Sequence, residues 1–359
     1  MTKSPTTMRA WRLHEYGSPV DVLCLEESEI PEPGPGDLRI RVQAIPLNLN
    51  DLERTSGKNM MVRPEFPYSP GMEVMGVVDA CGEGTTSVEG RRVVEGQRVV
   101  AATRGAFGGY AEYSICPLSG TFPMPSSVPL PDAAALYFPF HLAWLGLVDR
   151  AGLAEGQSVL IHAGAGGAGS AAIQLAKHLG ARVFATAGTN EKLALCRDLG
   201  ADVTVNYETA DVAQAVLAET GNRGVDIVFD TVGEAVMEAS MRCVAYNGHY
   251  VMIGFASNKA VADEPLLVPR RIMLGNFHLS GVLMAYGAEE TTEMIKTSMG
   301  WNFAPSTLGA SIMQEVIDLV EQGRLRAVIG ESVAFEELPA ALERMARRQS
   351  MGRAVALVT

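Results

Sequence analysis

The chain has 359 residues and a mass of 38.3 kDa, so about two domains are expected and a large apolar core can form. Hydrophobic residues make up 47% and charged residues 19%, which excludes a disordered chain and fits an α/β protein. The 29 basic and 41 acidic residues give a net charge of −12, so no nucleic acid is expected as a partner.

The first third of the chain is cut into short pieces by proline and glycine. Between these breaks lie segments of high β-propensity, at 38–45 (LRIRVQAI), 73–80 (EVMGVVDA) and 97–103 (QRVVAAT). This pattern predicts a domain rich in strands and turns.

After Pro131 the pattern changes to an alternation of strands and helices. An apolar run at 158–164 (SVLIHAG) is followed by residues spaced as on one helix face, from Ala172 to Leu179. Further strands are predicted at 182–187, 203–207, 226–233 and 249–254, and helices at 190–199, 210–220 and 234–245. Such alternation predicts a parallel sheet covered on both faces.

The last part of the chain carries helical patterns at 311–323 and 337–348, with a predicted strand at 328–333 between them. The run at 353–359 (RAVALVT) is apolar. The five cysteines form no CxxC pair and are odd in number, which indicates a reducing, cytoplasmic location. No stretch of about 18 apolar residues occurs, so no membrane association is expected.

A glycine-rich loop lies between the strand at 158–164 and the helix that follows it. Gly164, Gly166 and Gly169 fit the GxGxxG pattern, and Gly167 lies between them. In this context glycines let the backbone approach a pyrophosphate, and the helix N-terminus supplies free N–H groups. The loop predicts a dinucleotide site; a plain tight turn is the alternative.

The acidic residue that binds the ribose of NAD in such folds is absent from the end of the second strand, where the chain reads Gly188-Thr189-Asn190. A carboxylate would repel a 2′-phosphate, so its absence favours NADP. Lys192 adds a cation in the first turn of a helix, which is unfavourable unless an anion binds there. Thr189 and Asn190 are predicted to cap this helix and donate to phosphate. A solvated surface lysine is the alternative for Lys192, and a simple capping role for Asn190.

Seven segments, in this order, resemble the medium-chain dehydrogenase/reductase superfamily, and specifically its zinc-free quinone oxidoreductase (zeta-crystallin-like) branch. They are PEPGPGDLRIRVQAIPLNLNDL, PYSPGMEVMGVVDACGEG, GGYAEY, VLIHAGAGGAGSAAIQLAKHLGARV, LGADVTVNY, VDIVFDTVG and GRAVALVT. The resemblance implies a GroES-like β-barrel catalytic domain over 1–133, completed by 304–359. It also implies a Rossmann doubly wound parallel sheet over 134–303 that binds NADPH.

The resemblance also implies roles for single residues. Lys192 and Tyr207 match the positions that hold the 2′-phosphate, and Asp230, Gly254 and Phe255 are assigned to the same cofactor site. A homodimer that pairs through an edge strand near 276–284 is expected.

The zinc alcohol dehydrogenases of this superfamily have metal ligands that the present sequence lacks. Their first cysteine falls at or next to Asn48, and their glycine-histidine-glutamate motif reads Gly71-Met72-Glu73 here. A thioether is a poor zinc ligand. No metal is therefore expected.

Without a metal, hydride must go to an acceptor that is already electron-poor. Asn48 matches the family asparagine that faces the nicotinamide, and its amide is a candidate donor to the developing oxyanion. A turn-capping amide is the alternative.

The family's hydroxyl donors near this position are replaced. Glu53 stands where relatives often carry tyrosine, and His141 falls in the segment that carries a threonine. His141 is a candidate proton donor, and a buried structural histidine is its alternative.

The sequence thus predicts a zinc-independent, NADPH-dependent oxidoreductase whose partner is a small-molecule electron acceptor, either a quinone or an activated alkene. An enoyl thioester reductase and a weakly catalytic NADPH-binding protein are the alternatives. The identity of the acceptor, and reduction by one or by two electrons, stay open.

Overall fold

A computed structural model describes residues 6–358 apart from 59, 61, 84, 86, 89, 90 and 255–268. The strands are β1 (Thr7–Leu13), β2 (Leu23–Glu29), β3 (Asp37–Pro46), β4 (Glu73–Cys81), β5 (Ser87–Val88), β6 (Arg91–Arg92), β7 (Arg98–Ala102), β8 (Tyr113–Pro117), β9 (Thr121–Pro123), β10 (Ser158–Ile161), β11 (Arg182–Ala187), β12 (Val203–Asn206), β13 (Val225–Asp230), β14 (Val244–Met252), β15 (His278–Gly281), β16 (Tyr286–Gly287), β17 (Ala304–Pro305), β18 (Ile329–Ala334) and β19 (Arg353–Leu357).

The helices are α1 (Pro19–Val22), α2 (Asp51–Ser56), α3 (Asp132–Trp144), α4 (Gly167–His178), α5 (Asn190–Asp198), α6 (Val212–Glu219), α7 (Glu234–Cys243), α8 (Pro269–Gly275), α9 (Glu289–Met299), α10 (Ser306–Glu321) and α11 (Leu338–Ala346). Within the described ranges, none of these helices has the length and apolar character needed to cross a bilayer.

The chain divides into two compact units. The first contains residues 1–137, 285–321 and 329–359, and the second contains 138–284 and 322–328. These bounds differ from the predicted domains in giving 134–137 and 285–303 to the first unit and 322–328 to the second. The domain bounds predicted from the sequence stay a prediction.

The second unit is built on a parallel sheet, which confirms the predicted alternation of strands and helices. Its six described strands lie in the order β12-β11-β10-β13-β14-β15. Counted from β10, this is the 3-2-1-4-5-6 order of the doubly wound dinucleotide-binding fold. The order reverses between β10 and β13, and ligands of such sheets bind at the carboxyl ends of the strands at that point.

The core of the second unit explains why its strands read as continuous apolar runs. All four residues of β10 are buried, and so are five of the six residues of β11. Strands buried on both faces do not alternate between apolar and polar residues. Leu160, Phe184 and Val228 are fully buried at the centre of this core.

The first unit is built on a sheet with the order β18-β19-β3-β4-β7-β9, and β8 also pairs with β3. In β3 the apolar residues Leu38, Ile40 and Val42 are buried, whereas the arginines between them are more exposed. This period of two places one face of the strand in the core. The terminal strand β19 runs antiparallel to β3, with Val355 opposite Pro46.

Candidate functional site

The glycine-rich loop follows β10 at the point where the strand order reverses. Ala163 has a φ of 50°, and the N–H of Gly164 donates to the carbonyl oxygen of Thr186 at 2.9 Å. Gly166 caps α4, and the first helical hydrogen bond runs from the N–H of Ser170 to its carbonyl oxygen, at 2.9 Å. The N–H groups of 167–169 therefore lie in the first turn, where the helix dipole favours an anion.

The glycines of this loop fall into two groups, those that tight packing requires and those that leave the backbone accessible. A Cβ on Gly169 would overlap the carbonyl oxygen of Ala163 and lie 2.8 Å from the Cα of Gly164, and a Cβ on Gly164 would lie 2.9 Å from the Sγ of Cys196. These two glycines are buried, and the packing requires them. A Cβ on Gly166 would lie 3.3 Å from the carbonyl oxygen of Ala163, and Gly166 and Gly167 are only partly buried. Their backbone remains open to a ligand at the start of α4.

The turn after β11 lies against a tyrosine that follows the neighbouring strand. A Cβ on Gly188 would lie 2.6 Å from the hydroxyl oxygen of Tyr207, which follows β12. The hydroxyl at the tip of the half-exposed Tyr207 side chain therefore lies against the turn that follows β11. Thr189 caps α5, because its Oγ1 accepts from the N–H of Lys192 at 3.3 Å. Asn190 is the first residue of α5 and is exposed.

Asp230, at the end of β13, is buried and its carboxylate is fully engaged inside the second unit. Its Oδ1 accepts from the N–H groups of Val232 at 2.7 Å and Gly233 at 2.9 Å, and its Oδ2 accepts from the hydroxyl of Tyr250 at 2.5 Å. The contacts seen are those of a residue that shapes the loop after β13.

Gly254 follows β14, and its N–H donates to the carbonyl oxygen of Asp230 at 3.4 Å. Phe255 lies outside the described residues. The cofactor-binding roles of Asp230, Gly254 and Phe255 stay predictions.

A buried histidine, His162, lies directly before the loop. The Nε2 of His162 lies 2.8 Å from the hydroxyl oxygen of Ser240, which itself donates to the carbonyl oxygen of Val236 at 2.8 Å. His162 must therefore donate from Nε2, which leaves Nδ1 to accept from the hydroxyl of Thr186 at 3.2 Å. Burial lowers the pKa of His162, so this neutral tautomer holds the loop without a charge.

His141, the predicted proton donor, is fully buried in α3. Burial lowers its pKa to about 3, so the imidazole is uncharged at neutral pH. A proton donor with that pKa does not match turnover near pH 7. The catalytic role of His141 stays a prediction that this environment does not support.

The burial of His141 predicts a specific loss of stability in acid. The unfolded histidine binds a proton below about pH 6.5, whereas the folded one does so only near its pKa of about 3, so stability falls as pH falls through this interval. Between pH 7.5 and 5.5 this histidine should lower the free energy of unfolding by about 1.4 kcal/mol. Urea unfolding of His141→Gln should lack that loss, whereas the same change at the exposed His178 should retain it. Equal pH dependence in wild type and His141→Gln would refute the assignment.

In the first unit, Asn48 belongs to a buried polar cluster. Its Oδ1 accepts from the Nη1 of Arg353 at 2.8 Å, and its Nδ2 donates to the Oε2 of Glu73 at 3.1 Å and to the carbonyl oxygen of Pro46 at 3.3 Å. The Nη2 of Arg353 donates to the same Glu73 oxygen at 2.6 Å. These hydrogen bonds fix the orientation of the Asn48 amide, because both its oxygen and its nitrogen have partners.

Asp51 lies against the same cluster. One of its carboxylate oxygens, Oδ2, accepts from the N–H of Asn48 at 3.0 Å and from the hydroxyl of Tyr110 at 2.9 Å. Burial raises the pKa of Asp51, and the nearby positive charge of Arg54 only partly offsets this effect. Asp51 thus fixes the backbone of Asn48, while Arg353 and Glu73 fix its side chain.

The donor set at the position of the zinc ligands of alcohol dehydrogenases does not fit zinc. It consists of an amide, the thioether of Met72 and a carboxylate, and the oxygens of Asn48 and Glu73 already accept hydrogen bonds from the permanent cation of Arg353. A zinc ion would meet that charge and would lack nitrogen and thiolate ligands. Among the residues that the structure describes, no three His, Cys, Asp or Glu side chains form a group able to hold a metal ion.

Comparisons with known proteins agree with this architecture. Residues 34–126 match the family described as the alcohol dehydrogenase GroES-like domain, and residues 167–299 match the family described as zinc-binding dehydrogenase. The chain is 31% identical to a quinone oxidoreductase of Pseudomonas aeruginosa, with 95% of this chain and 97% of that protein covered. It is 30% identical to a 2-haloacrylate reductase of a Burkholderia species, with 96% and 97% covered.

Among solved structures, the chain is similar to a mycobacterial protein determined in complex with NADPH. That comparison has a TM-score of 0.83 and 30% identity, and it covers 98% of this chain and all of the other. A quinone oxidoreductase of Pseudomonas syringae gives a TM-score of 0.82 at 27% identity.

Proposed function

This chain belongs to the medium-chain dehydrogenase/reductase superfamily, in its quinone oxidoreductase-like branch, and on that basis we propose that it delivers hydride to a quinone or an activated alkene without a metal ion. Its activity class is NADPH-dependent oxidoreduction. The acceptor class and the independence from zinc are the proposal. The observation that carries it is that Arg353 donates hydrogen bonds to both Asn48 and Glu73, which leaves their oxygens engaged by a cation and unsuited to zinc.

The second unit fits NADPH. The pyrophosphate would take the N–H groups at the start of α4, beside Gly166 and Gly167. Thr189, Asn190, Lys192 and Tyr207 would hold the 2′-phosphate, because the end of β11 carries no acid at 187–190; the nearest carboxylate in the chain is that of Glu191, in the first turn of α5. When bound, NADPH supplies the hydride, and the protein supplies its position and the surrounding charges.

An acceptor that needs no Lewis acid must already be electron-poor at the carbon or oxygen that receives hydride. A quinone and an alkene conjugated to a carbonyl both meet this condition. The name of the Burkholderia relative, 2-haloacrylate reductase, supports the alkene. Asn48 is the residue that we assign to the oxyanion of the acceptor, through an N–H of its amide.

A panel of acceptors tests this function. The purified protein should oxidise NADPH with at least one quinone or enone, and prolonged incubation with EDTA should leave the rate unchanged. Loss of activity in EDTA that added zinc restores would overturn metal independence. If only enoyl thioesters are reduced, the acceptor is an enoyl thioester and the proposed acceptor class is wrong. If NADPH binds tightly and no acceptor is reduced, the chain is an NADPH-binding protein without this activity.

We also expect a homodimer that pairs through β15. Among the strands that the structure describes, β15 lies at an edge of the six-stranded sheet, and an edge strand is where a second copy can add its own. Light scattering at micromolar protein should give the mass of two chains, and the mass of one chain would refute this pairing. The cytoplasmic location expected from the cysteines is tested by cell fractionation.

A further inference from the structure

We propose that Arg353 is a positioning residue for the reaction, which acts by fixing the amide of Asn48 in one orientation. The inference rests on the proposed function, because Arg353 can act on the reaction only if Asn48 donates to the acceptor as proposed.

Sheet register brings Arg353 to Asn48. In the antiparallel pair of β19 and β3, Val355 lies opposite Pro46, and the N–H of Leu47 donates to the carbonyl oxygen of Ala354 at 2.9 Å. Continued by one more step, this register sets Arg353 opposite Asn48. The two side chains then meet inside the first unit, where Asn48 is 4% and Arg353 is 6% exposed.

The hydrogen bonds leave Asn48 one favourable amide orientation. Its oxygen faces the guanidinium of Arg353, and its nitrogen faces the carboxylate of Glu73. A flipped amide would set N–H groups against N–H groups and an oxygen against a carboxylate, and both contacts would be repulsive. Arg353 and Glu73 therefore determine the direction of the Asn48 N–H groups.

One of the two Nδ2 contacts can be exchanged for a substrate oxygen. The bond to Glu73 is charge-assisted and measures 3.1 Å, whereas the bond to the neutral carbonyl of Pro46, two residues away, measures 3.3 Å. The weaker, local bond is the one that an oxyanion displaces most readily. Arg353 keeps the stronger bond in place by holding Glu73 beside the amide nitrogen.

The cluster is poorly suited to a role in stability alone. Buried ion pairs are often no more stabilising than apolar residues of similar volume. Within the described part of the chain, the buried Nε of Arg353 has no hydrogen-bond partner, and an unsatisfied buried donor is unfavourable. An arrangement that is costly and yet orders one amide is consistent with positioning.

A double-mutant cycle tests the proposal. With NADPH and the best acceptor, Asn48→Ala should lower kcat about 100-fold, and Arg353→Gln should lower kcat about 10- to 100-fold with the KM for NADPH unchanged. In the Asn48→Ala background, Arg353→Gln should change kcat less than about 2-fold, because its effect passes through Asn48. Arg353→Lys should restore part of the rate. Arg344→Gln, which breaks a more exposed pair with Glu331, is the matched control.

Two outcomes overturn the proposal. If Arg353→Gln lowers kcat by the same factor in the wild type and in Asn48→Ala, the arginine acts independently of the amide. If Asn48→Ala leaves kcat unchanged, Asn48 is not the residue through which Arg353 acts. Should Arg353→Gln fail to fold, Glu73→Gln/Arg353→Gln removes both charges together and enters the same cycle. Wild-type protein that reduces no acceptor would instead refute the proposed function, so the two failures are distinguishable.

Discussion

Replacing Gly169 by alanine should abolish tight NADPH binding and lower the free energy of unfolding by about 3 kcal/mol. The added Cβ would overlap the carbonyl oxygen of Ala163 and crowd the Cα of Gly164. Both neighbours are backbone atoms, which cannot rotate away as a side chain can. The loop must therefore move, and with it the start of α4.

Gly166→Ala is the matched comparison, because it adds the same methyl group three residues earlier. Its Cβ would lie 3.3 Å from the carbonyl oxygen of Ala163, and its φ of −80° suits an L-residue. The apoprotein should keep its stability within about 1 kcal/mol. NADPH binding should weaken, because the methyl group would stand at the open N-terminus of α4.

Thermal unfolding and NADPH fluorescence titration distinguish the two effects. Gly169→Ala should lower Tm without cofactor, whereas Gly166→Ala should leave Tm unchanged and raise Kd. A Gly169→Ala protein with wild-type Tm and wild-type Kd would mean that the loop tolerates the clash, and the structural account of Gly169 would be wrong.

Replacing Lys192 by glutamate should weaken NADPH about 100-fold and leave NADH within about 3-fold. Lys192 lies in the first turn of α5, beside Glu191 and at the positive end of the helix, where a bound phosphate would add a favourable anion. The substitution removes a donor and adds a charge that repels the 2′-phosphate. NADH lacks that phosphate and should hardly respond.

Lys296→Glu makes the same change of net charge at an exposed position in α9 and serves as the control. Titration of each variant with both cofactors gives the ratio of Kd values, which is insensitive to loss of active protein. An equal loss for NADPH and NADH would show that Lys192 supports α5 and does not select the cofactor.

The parallel sheet and its loop could be predicted from the sequence because both depend on local patterns. The run at 158–164 ends in glycine and is followed by helical periodicity, and this order alone predicts a strand, a turn and a helix. The capping role of Thr189 followed from the same kind of local pattern. The close contact between Gly188 and Tyr207 was not visible, because two neighbouring strands of the sheet must pair before these residues meet.

The polar cluster around Asn48 could not be predicted, because its members are remote in sequence. Arg353 lies 305 residues from Asn48, and Glu73 lies 280 residues from Arg353. In the sequence, Arg353 precedes a short apolar run, a pattern that indicates only the start of a strand. The environment of His141 could not be predicted either. The sequence identifies the histidine, but only the fold shows that it is buried and that burial lowers its pKa.

The place of β19 has a consequence for synthesis of the protein. β19 lies between β18 and β3, so β3 lacks this neighbour until some 305 further residues have been made. At ribosomal speed that interval lasts about 15 to 60 s. Strands β10 to β15 follow one another without such a gap and can pair during this time. β8 pairs with β3 over Asp37–Arg41, so the nascent β3 lacks a neighbour only over Ala44–Pro46. Glu73 likewise lacks its cation until Arg353 has been made, so the polar cluster around Asn48 can form only at the end of synthesis.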